Sequence, residues 1–353
     1  RHSFAAWAEA MIAARDAATE RQVADGLRVA LQHCYKSGIT CVGDHVSHAS
    51  ALPWLLQMPL RGRAFVEVFG PEAARARAAR AEAEAAIERH RRAAKRMTLS
   101  ATPHSAYALH PTILRDILTA YAQAETREPG AQPPLSIHCA ETREEWECFT
   151  QCRGPLHSLV QQRGHHIATP SRSPIEFLER HGGLPRRGLF VHANYTDPAD
   201  LIGLTTVGAT IVHCPQSHRF FGADAFPMDA VRAAGIPVAL GTDSLATAPT
   251  LNLFTEMQLV REQYPHIGAA EILRMATRHG AAALGLAATC GAIAPGLKAD
   301  LIAIRCNDLA RDPYETVLRS TEAPFVVIDG RIVRNVLKGE HQCRAEVRKC
   351  VSA

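Results

Sequence analysis

The stretch Ser136-Ile137-His138-Cys139-Ala140-Glu141-Thr142 decides the fold, because a short apolar run gives way there to an imidazole and then a carboxylate. Six other short runs end in the same way. They cover residues 39–45, 63–69, 97–104, 189–194, 210–214 and 237–242, and with 135–140 they predict seven strands. The polar residues that finish them are Asp44 and His45, Glu67, His104, His138 with Glu141, His192 with Asn194, His213 with Ser217, and Asp243 with Ser244. Helical stretches lie between, at 112–123, 173–181, 198–205 and 229–234. Strands alternating with helices point to parallel strands covered by helices. A (β/α)8 barrel gathers its chemistry at the C-terminal ends of its strands, so these side chains would converge on one mouth. A doubly wound open sheet would concentrate its signals at one switch point after a Gly-rich first turn. No G-x-G-x-x-G pattern occurs, and an α/β barrel of the TIM type, one strand short of eight, is the expected fold.

With 47% apolar and 21% charged residues, the 353-residue chain has the composition of a globular protein and not of a disordered or fibrous one. A net charge of +4 is too small to call for a nucleic-acid or membrane partner. No run approaches the roughly 18 apolar residues of a membrane span, and the opening segment 4–12 carries Glu9 and reads as an amphipathic helix, not a secretory signal. Ten cysteines lie scattered without a Cys-x-x-Cys pair, a pattern of reduced thiols that predicts a cytoplasmic protein. Residues 71–96 are rich in Ala, Arg and Glu; the interspersed glutamates predict a solvated outer helix, against the alternative of a nucleic-acid surface. After Gly291 the pattern changes to short strands at 301–305, 325–328 and 331–336, the last two joined by Asp329-Gly330, a hairpin signal for a small β unit.

Neutral imidazole is a good zinc or iron ligand, and a nearby carboxylate can move protons for a metal-activated water. His138 and Glu141 fit those parts, although a single histidine is more often a hydrogen-bonded core or surface residue than a ligand. Asp243, ending a buried strand, is costly unless paired or metal-bound; the alternative is a helix cap. His192 and the segment His213-Cys214-Pro215-Gln216-Ser217 add two more polar strand ends.

These residues resemble the amidohydrolase superfamily, in its deaminase and chlorohydrolase branch of cytosine deaminase, methylthioadenosine/S-adenosylhomocysteine deaminase, aminodeoxyfutalosine deaminase and triazine hydrolases. The motifs are His138-Cys-Ala-Glu141, Val191-His192-Ala193, Val212-His-Cys-Pro-Gln-Ser217, Gly241-Thr-Asp243-Ser244, Ala276-Thr277 through Gly285, and Gly291-Ala-Ile293 with Pro295-Gly296 and Ala299-Asp300-Leu301. The resemblance implies a barrel over 1–289 and part of a small β-sandwich over 290–353. It implies His138 and Asp243 as metal ligands, Glu141 as proton shuttle, and His192 as the group that orients the attacking water. Glu141, His104, Tyr107 and Ser217 would touch a small-molecule substrate. The cofactor would be one divalent metal, zinc before iron or manganese, and the assembly a dimer or larger homo-oligomer. The expected reaction is hydrolysis of a non-peptide C–N bond, deaminating a purine nucleoside derivative or related amino-heterocycle by attack of metal-activated hydroxide. Removal of chloride or an alkylamine from a heterocycle is the nearest alternative.

The chain departs from the family pattern in three places. Ala106 replaces the second Pro of the Pro-His-x-Pro-Tyr stretch, and His218 replaces the Asn that follows the strand-seven Ser. No His-x-His motif, the source of two metal ligands on the family's first strand, occurs anywhere. Residues 4–38 match the helical region that follows that motif, so the expectation is a chain lacking strand one and the first part of the sandwich. His2, His45 and His48 lack the two-residue spacing that aims two imidazoles the same way from one strand. A catalytically silent fragment or pseudoenzyme is therefore the rival expectation.

Overall fold

The computed structural model describes residues 3–165, 167–306 and 312–337. His2 and the stretch 338–353 of the expected β-sandwich lie outside the described residues. Seven parallel strands form two arcs. The first has the order β1 (Cys41–Val46), β2 (Arg61–Val68), β3 (Met97–Pro103); the second has β4 (Ser136–Cys139), β5 (Leu189–His192), β6 (Thr210–His213) and β7 (Val238–Leu240). A parallel bridge between Ser105 and His138 and a 3.0 Å bond from His138 N–H to His104 C=O join the arcs. Among the described residues β7 and β1 are not paired. The result is a TIM-barrel-like α/β architecture.

All seven expected strands form, and most stop earlier than the apolar pattern does. The reason is local backbone conformation. Ala140, His192, Ala193 and Asp243 take φ values of 52°, 74°, 47° and 53°, a left-handed region that ends a strand ladder and is unusual for residues other than glycine. Each of these turns carries or adjoins a functional candidate. Concentration of such strain at one rim is a feature of active sites.

The four expected helices appear as Pro111–Arg127, Pro174–Arg180, Pro198–Thr206 and Met228–Ala233. Prolines open three of them, where their missing N–H costs nothing. The Arg- and Ala-rich segment forms the helix Ala73–His90, whose Ala76, Ala83 and Ala86 are buried while Arg80 and Glu84 pair at 2.8 Å on the solvent side. That is the outer helix its charge pattern predicts. Among the described residues no helix is long and apolar enough to cross a membrane.

The core runs from the strands outward. Leu52, Ala64, Val68, Leu109, Leu114, Ile137, Phe149, Phe190, Leu204 and Ile211 are fully enclosed between strands and helices. A smaller cluster of Phe65, Leu189, Ala239, Ala283 and Leu284 fills the space between the arcs. The tail adds an antiparallel sheet in the order β10 (Arg331–Asn335), β9 (Phe325–Ile328), β8 (Leu301–Ala303). Its hairpin turns at Asp329 and Gly330 with φ of 51° and 76°, the conformation Asp-Gly favours in two-residue loops. Arg61 fastens this sheet to the first arc through Asp300 at 3.1 Å and Asp329 at 3.4 Å.

Candidate active site

The polar strand ends meet at one rim, in two groups. On the second arc, Glu141, His192 and Asp243 offer donor atoms that all lie within 4.8 Å of one another. His192 Nε2 is 3.5 Å from a Glu141 carboxylate oxygen. Where the arcs meet, His45 and Glu67 of the first arc and His138 of the second make another set within the same limit. His138 stands between them: its ring centroid is 4.4 Å from that of His45, 4.7 Å from His104 and 5.6 Å from His192. Its Nδ1 lies 3.1 Å from the His104 carbonyl. A carbonyl can only accept, so Nδ1 carries the hydrogen and Nε2 keeps a lone pair for a ligand.

Backbone chemistry places Glu141. Glu145, fully buried, accepts from the N–H of Ala140 at 3.0 Å and of Glu141 at 2.7 Å. Thr142 caps the helix Arg143–Gln151 through the N–H of Glu145. The Asn194 side chain donates to the Glu141 carbonyl at 2.8 Å. The loop is thus fixed from three sides, and among the described residues the side-chain nitrogen beside the Glu141 carboxylate is His192 Nε2, at 3.5 Å. Asp243, in its left-handed turn, accepts from the Thr247 hydroxyl at 2.8 Å.

Burial sets the charges. Burial first, then the carboxylates of Asp243 and Glu145, raises the Glu141 carboxyl well above its ordinary range, so this group readily holds a proton. Burial lowers His192 to about 4 against the pull of Asp243, and lowers His138 well below its usual value with help from His45 and His104. Both imidazoles are neutral near pH 7, the form that ligates metals and accepts protons. Burial raises the Tyr107 phenol as well. Glu67 behaves in the opposite way. Burial pushes it up, but the imidazoles of His104 and His45 outweigh that and hold it well below the carboxylate range.

Of the residues singled out in the sequence, the structure brings Glu141, His192, Asp243, His138 and His104 to this rim. Tyr107 stands edge-on to His104 with centroids 6.2 Å apart. Ser217 is buried in the helix Pro215–Phe221, with no hydrogen-bond partner for its hydroxyl among the described residues. Glu67 and His45 were legible only as polar strand ends. Glu145 carried a signal of its own, since Thr142-x-x-Glu145 is the pattern of a capping box.

The donor set suits a divalent metal: imidazole and carboxylate together are ligands for zinc, iron or manganese. Comparisons with known proteins agree with this chemistry. The profile of the amidohydrolase family matches residues 2–336. An aminodeoxyfutalosine deaminase of Deinococcus radiodurans is 31% identical over 256 residues, which are 69% of this chain and 59% of that protein. A 5-methylthioadenosine/S-adenosylhomocysteine deaminase of Pyrococcus abyssi is 32% identical over 65% of this chain and 52% of its own length. The chain thus spans a little over half the length of these curated relatives. Among solved structures, an adenosine deaminase from Xanthomonas campestris with bound zinc superposes with a TM-score of 0.76 at 21% identity, covering 99% of this chain and 81% of that one. That likeness speaks for the fold.

Proposed function

The chain belongs to the amidohydrolase family, and on that premise we propose that it carries the larger part of the site of a metal-dependent hydrolase that deaminates a purine nucleoside derivative or related amino-heterocycle. The observation that supports this most is the meeting of Glu141, His192 and Asp243 within 4.8 Å beside the free Nε2 edge of His138. His138 and Asp243 would hold the ion, with zinc as the assignment. When bound, a divalent ion supplies the Lewis acidity that makes water nucleophilic at neutral pH.

The side chains account for the remaining needs of the reaction. Water adds at the ring carbon that bears the amine, and Glu141 takes one of its protons and passes it to the ring nitrogen. Glu141 then moves the proton of the added hydroxyl to the amine as the C–N bond breaks, so that ammonia leaves and the ring carbon keeps the oxygen as a carbonyl. Its raised proton affinity suits a group that must hold and release a proton within one turnover. Neutral His192, 3.5 Å from Glu141, orients the nucleophile and faces the charge that develops on the ring. His104 and Tyr107 would take the rest of the substrate, and Ser217, the third residue proposed for this part, is buried in the helix Pro215–Phe221. The names of the Deinococcus and Pyrococcus relatives point to adenine nucleosides with altered 5′ groups as the class to test.

Finer parts of the reading stand with it. A further strand between β7 and β1 that carried a His-x-His pair would complete the metal's donors and close the barrel. The barrel would occupy 1–289, and 290–353 would belong to a small β-sandwich. The protein would work as a homodimer or larger homo-oligomer in the cytoplasm, where its ten cysteines stay reduced. The test is zinc-supplemented assay of 5′-methylthioadenosine, adenosine and aminodeoxyfutalosine for ammonia release, by the chain and by a version extended upstream. Release that disappears in Glu141→Gln supports the reading. Release unaffected by that change, or none from either form, overturns it, and the latter result favours a silent fragment.

A further inference from the structure

We propose that Glu67 is the positioning residue for His104: its carboxylate holds the Nδ1 edge of that imidazole against β2, which leaves Nε2 as the nitrogen that meets a substrate heteroatom. The inference rests on the reading of His104 as a substrate-binding residue.

Glu67 is the next-to-last residue of β2, and the parallel register sets it beside Thr102 of β3. Residues two apart on a strand share a face, so Glu67 stands above Phe65, which is packed into the cluster between the arcs. The Glu67 side chain is only 4% exposed, yet one of its oxygens receives two imidazoles, His104 Nδ1 at 2.7 Å and His45 Nδ1 at 3.1 Å. An ionised carboxylate only accepts, so both contacts require a hydrogen on Nδ1. The second nitrogen of His45 is taken by the Ser136 hydroxyl at 2.8 Å. The second nitrogen of His104 has no hydrogen-bond partner among the described residues, and its ring lies 4.7 Å from that of His138. His138 turns its own Nδ1 to the His104 carbonyl. Backbone and side chain of His104 are thus engaged separately, the carbonyl orienting His138 and the ring fixed by Glu67.

A purely space-filling residue at this position would be apolar, as its strand neighbours Val66 and Val68 are. Burying a carboxylate costs several kcal/mol unless donors surround it, and the donors here are the rings whose placement decides the shape of the rim. One carboxylate therefore sets the tautomer and orientation of two imidazoles and indirectly fixes the wall that His138 leans on. Phe69, 4.7 Å from the His104 ring, and Tyr107, edge-on to it, limit the remaining freedom of that ring.

The experiment is long-range proton–nitrogen NMR of the chain labelled with 15N-histidine near pH 7, with the His104 signals identified by their loss in His104→Asn. A protonated Nδ1 on His104 in the wild-type chain is the expected result, and a hydrogen on Nε2 alone overturns the proposal. In Glu67→Leu no acceptor remains for the two rings, and the expected result is that His104 loses its fixed Nδ1–H pattern. An unchanged His104 pattern would overturn the proposal. Should that variant fail to fold, Glu67→Asp keeps the charge while withdrawing it by one methylene, and it must shift the His104 signals. Where the protein turns over an adenine nucleoside, Glu67→Leu raises KM about tenfold, the scale of one hydrogen bond, and leaves kcat within about threefold; an unchanged KM also overturns the assignment. The wild-type tautomer with no turnover of any nucleoside would keep the positioning of His104 and overturn the deaminase reading instead.

Discussion

The two arcs of strand ends use the same residue types to opposite effect. In the second arc Glu141 faces other carboxylates and a neutral imidazole, and its proton affinity rises. In the first arc Glu67 faces two imidazole N–H groups, and its proton affinity falls. Both carboxylates are buried, so desolvation does not distinguish them; their neighbours do. A carboxyl with few donors can carry a proton through a reaction, whereas one held by two N–H groups on one oxygen is suited to keeping other groups in place. On the proposed function, the first arc would serve as scaffold for the rim and the second as its reactive side.

The contrast can be broken by mutation. The largest effect expected is on Glu141→Gln, which removes the mobile proton and lowers turnover by roughly 10²–10⁴-fold with folding unchanged, read by ammonia release and circular dichroism. A variant retaining wild-type turnover would erase the distinction between the arcs. Glu145→Ala comes next, because it leaves the N–H groups of Ala140 and Glu141 without acceptors in the interior. A destabilisation of about 1–3 kcal/mol per group left unpaired follows, measured by denaturant unfolding. A loss below that range would mean the Glu141 loop is fixed by Asn194 and Thr142 alone.

A third effect concerns pH. Glu256 holds the start of the helix Pro215–Phe221 by accepting from the backbone and side chain of Gln216, and burial raises it to about 7. A carboxyl raised in the folded state contributes stability that is full below its unfolded value, 4.5, and is lost as pH rises through about 7. The midpoint of thermal unfolding should therefore lose this contribution between pH 4.5 and about 7, and Glu256→Gln should flatten that part of the profile. The smallest effect is on the exterior: Arg80→Ala breaks an exposed pair with Glu84 and changes stability by less than about 1 kcal/mol.

Much of the second arc could be read in the sequence, since His138, Glu141, His192 and Asp243 each follow a short apolar run and sit where a barrel strand must end. The Asp329-Gly330 hairpin was legible for a similar reason: its turn demands residues that tolerate positive φ. The first arc was not legible as a unit. His45, Glu67 and His104 come from three strands, separated by 22 and 37 residues, and only the parallel register brings them to one oxygen. Glu67 looked like an ordinary polar strand end because the donors that explain it are distant in sequence. The early ends of the strands were equally hidden, because Ala140, His192 and Asp243 give no local sign that they adopt left-handed conformations.

The most direct test of the account is zinc binding by calorimetry to the purified chain and to four single variants, two from each arc. On the proposed function, the ion would lie on His138 and Asp243. Binding should be lost in His138→Ala and Asp243→Asn and kept in Glu67→Gln and His45→Asn. Zinc retained by Asp243→Asn but lost from Glu67→Gln and His45→Asn would put the ion in the first arc, contradicting the division of the rim into a reactive side and a scaffold.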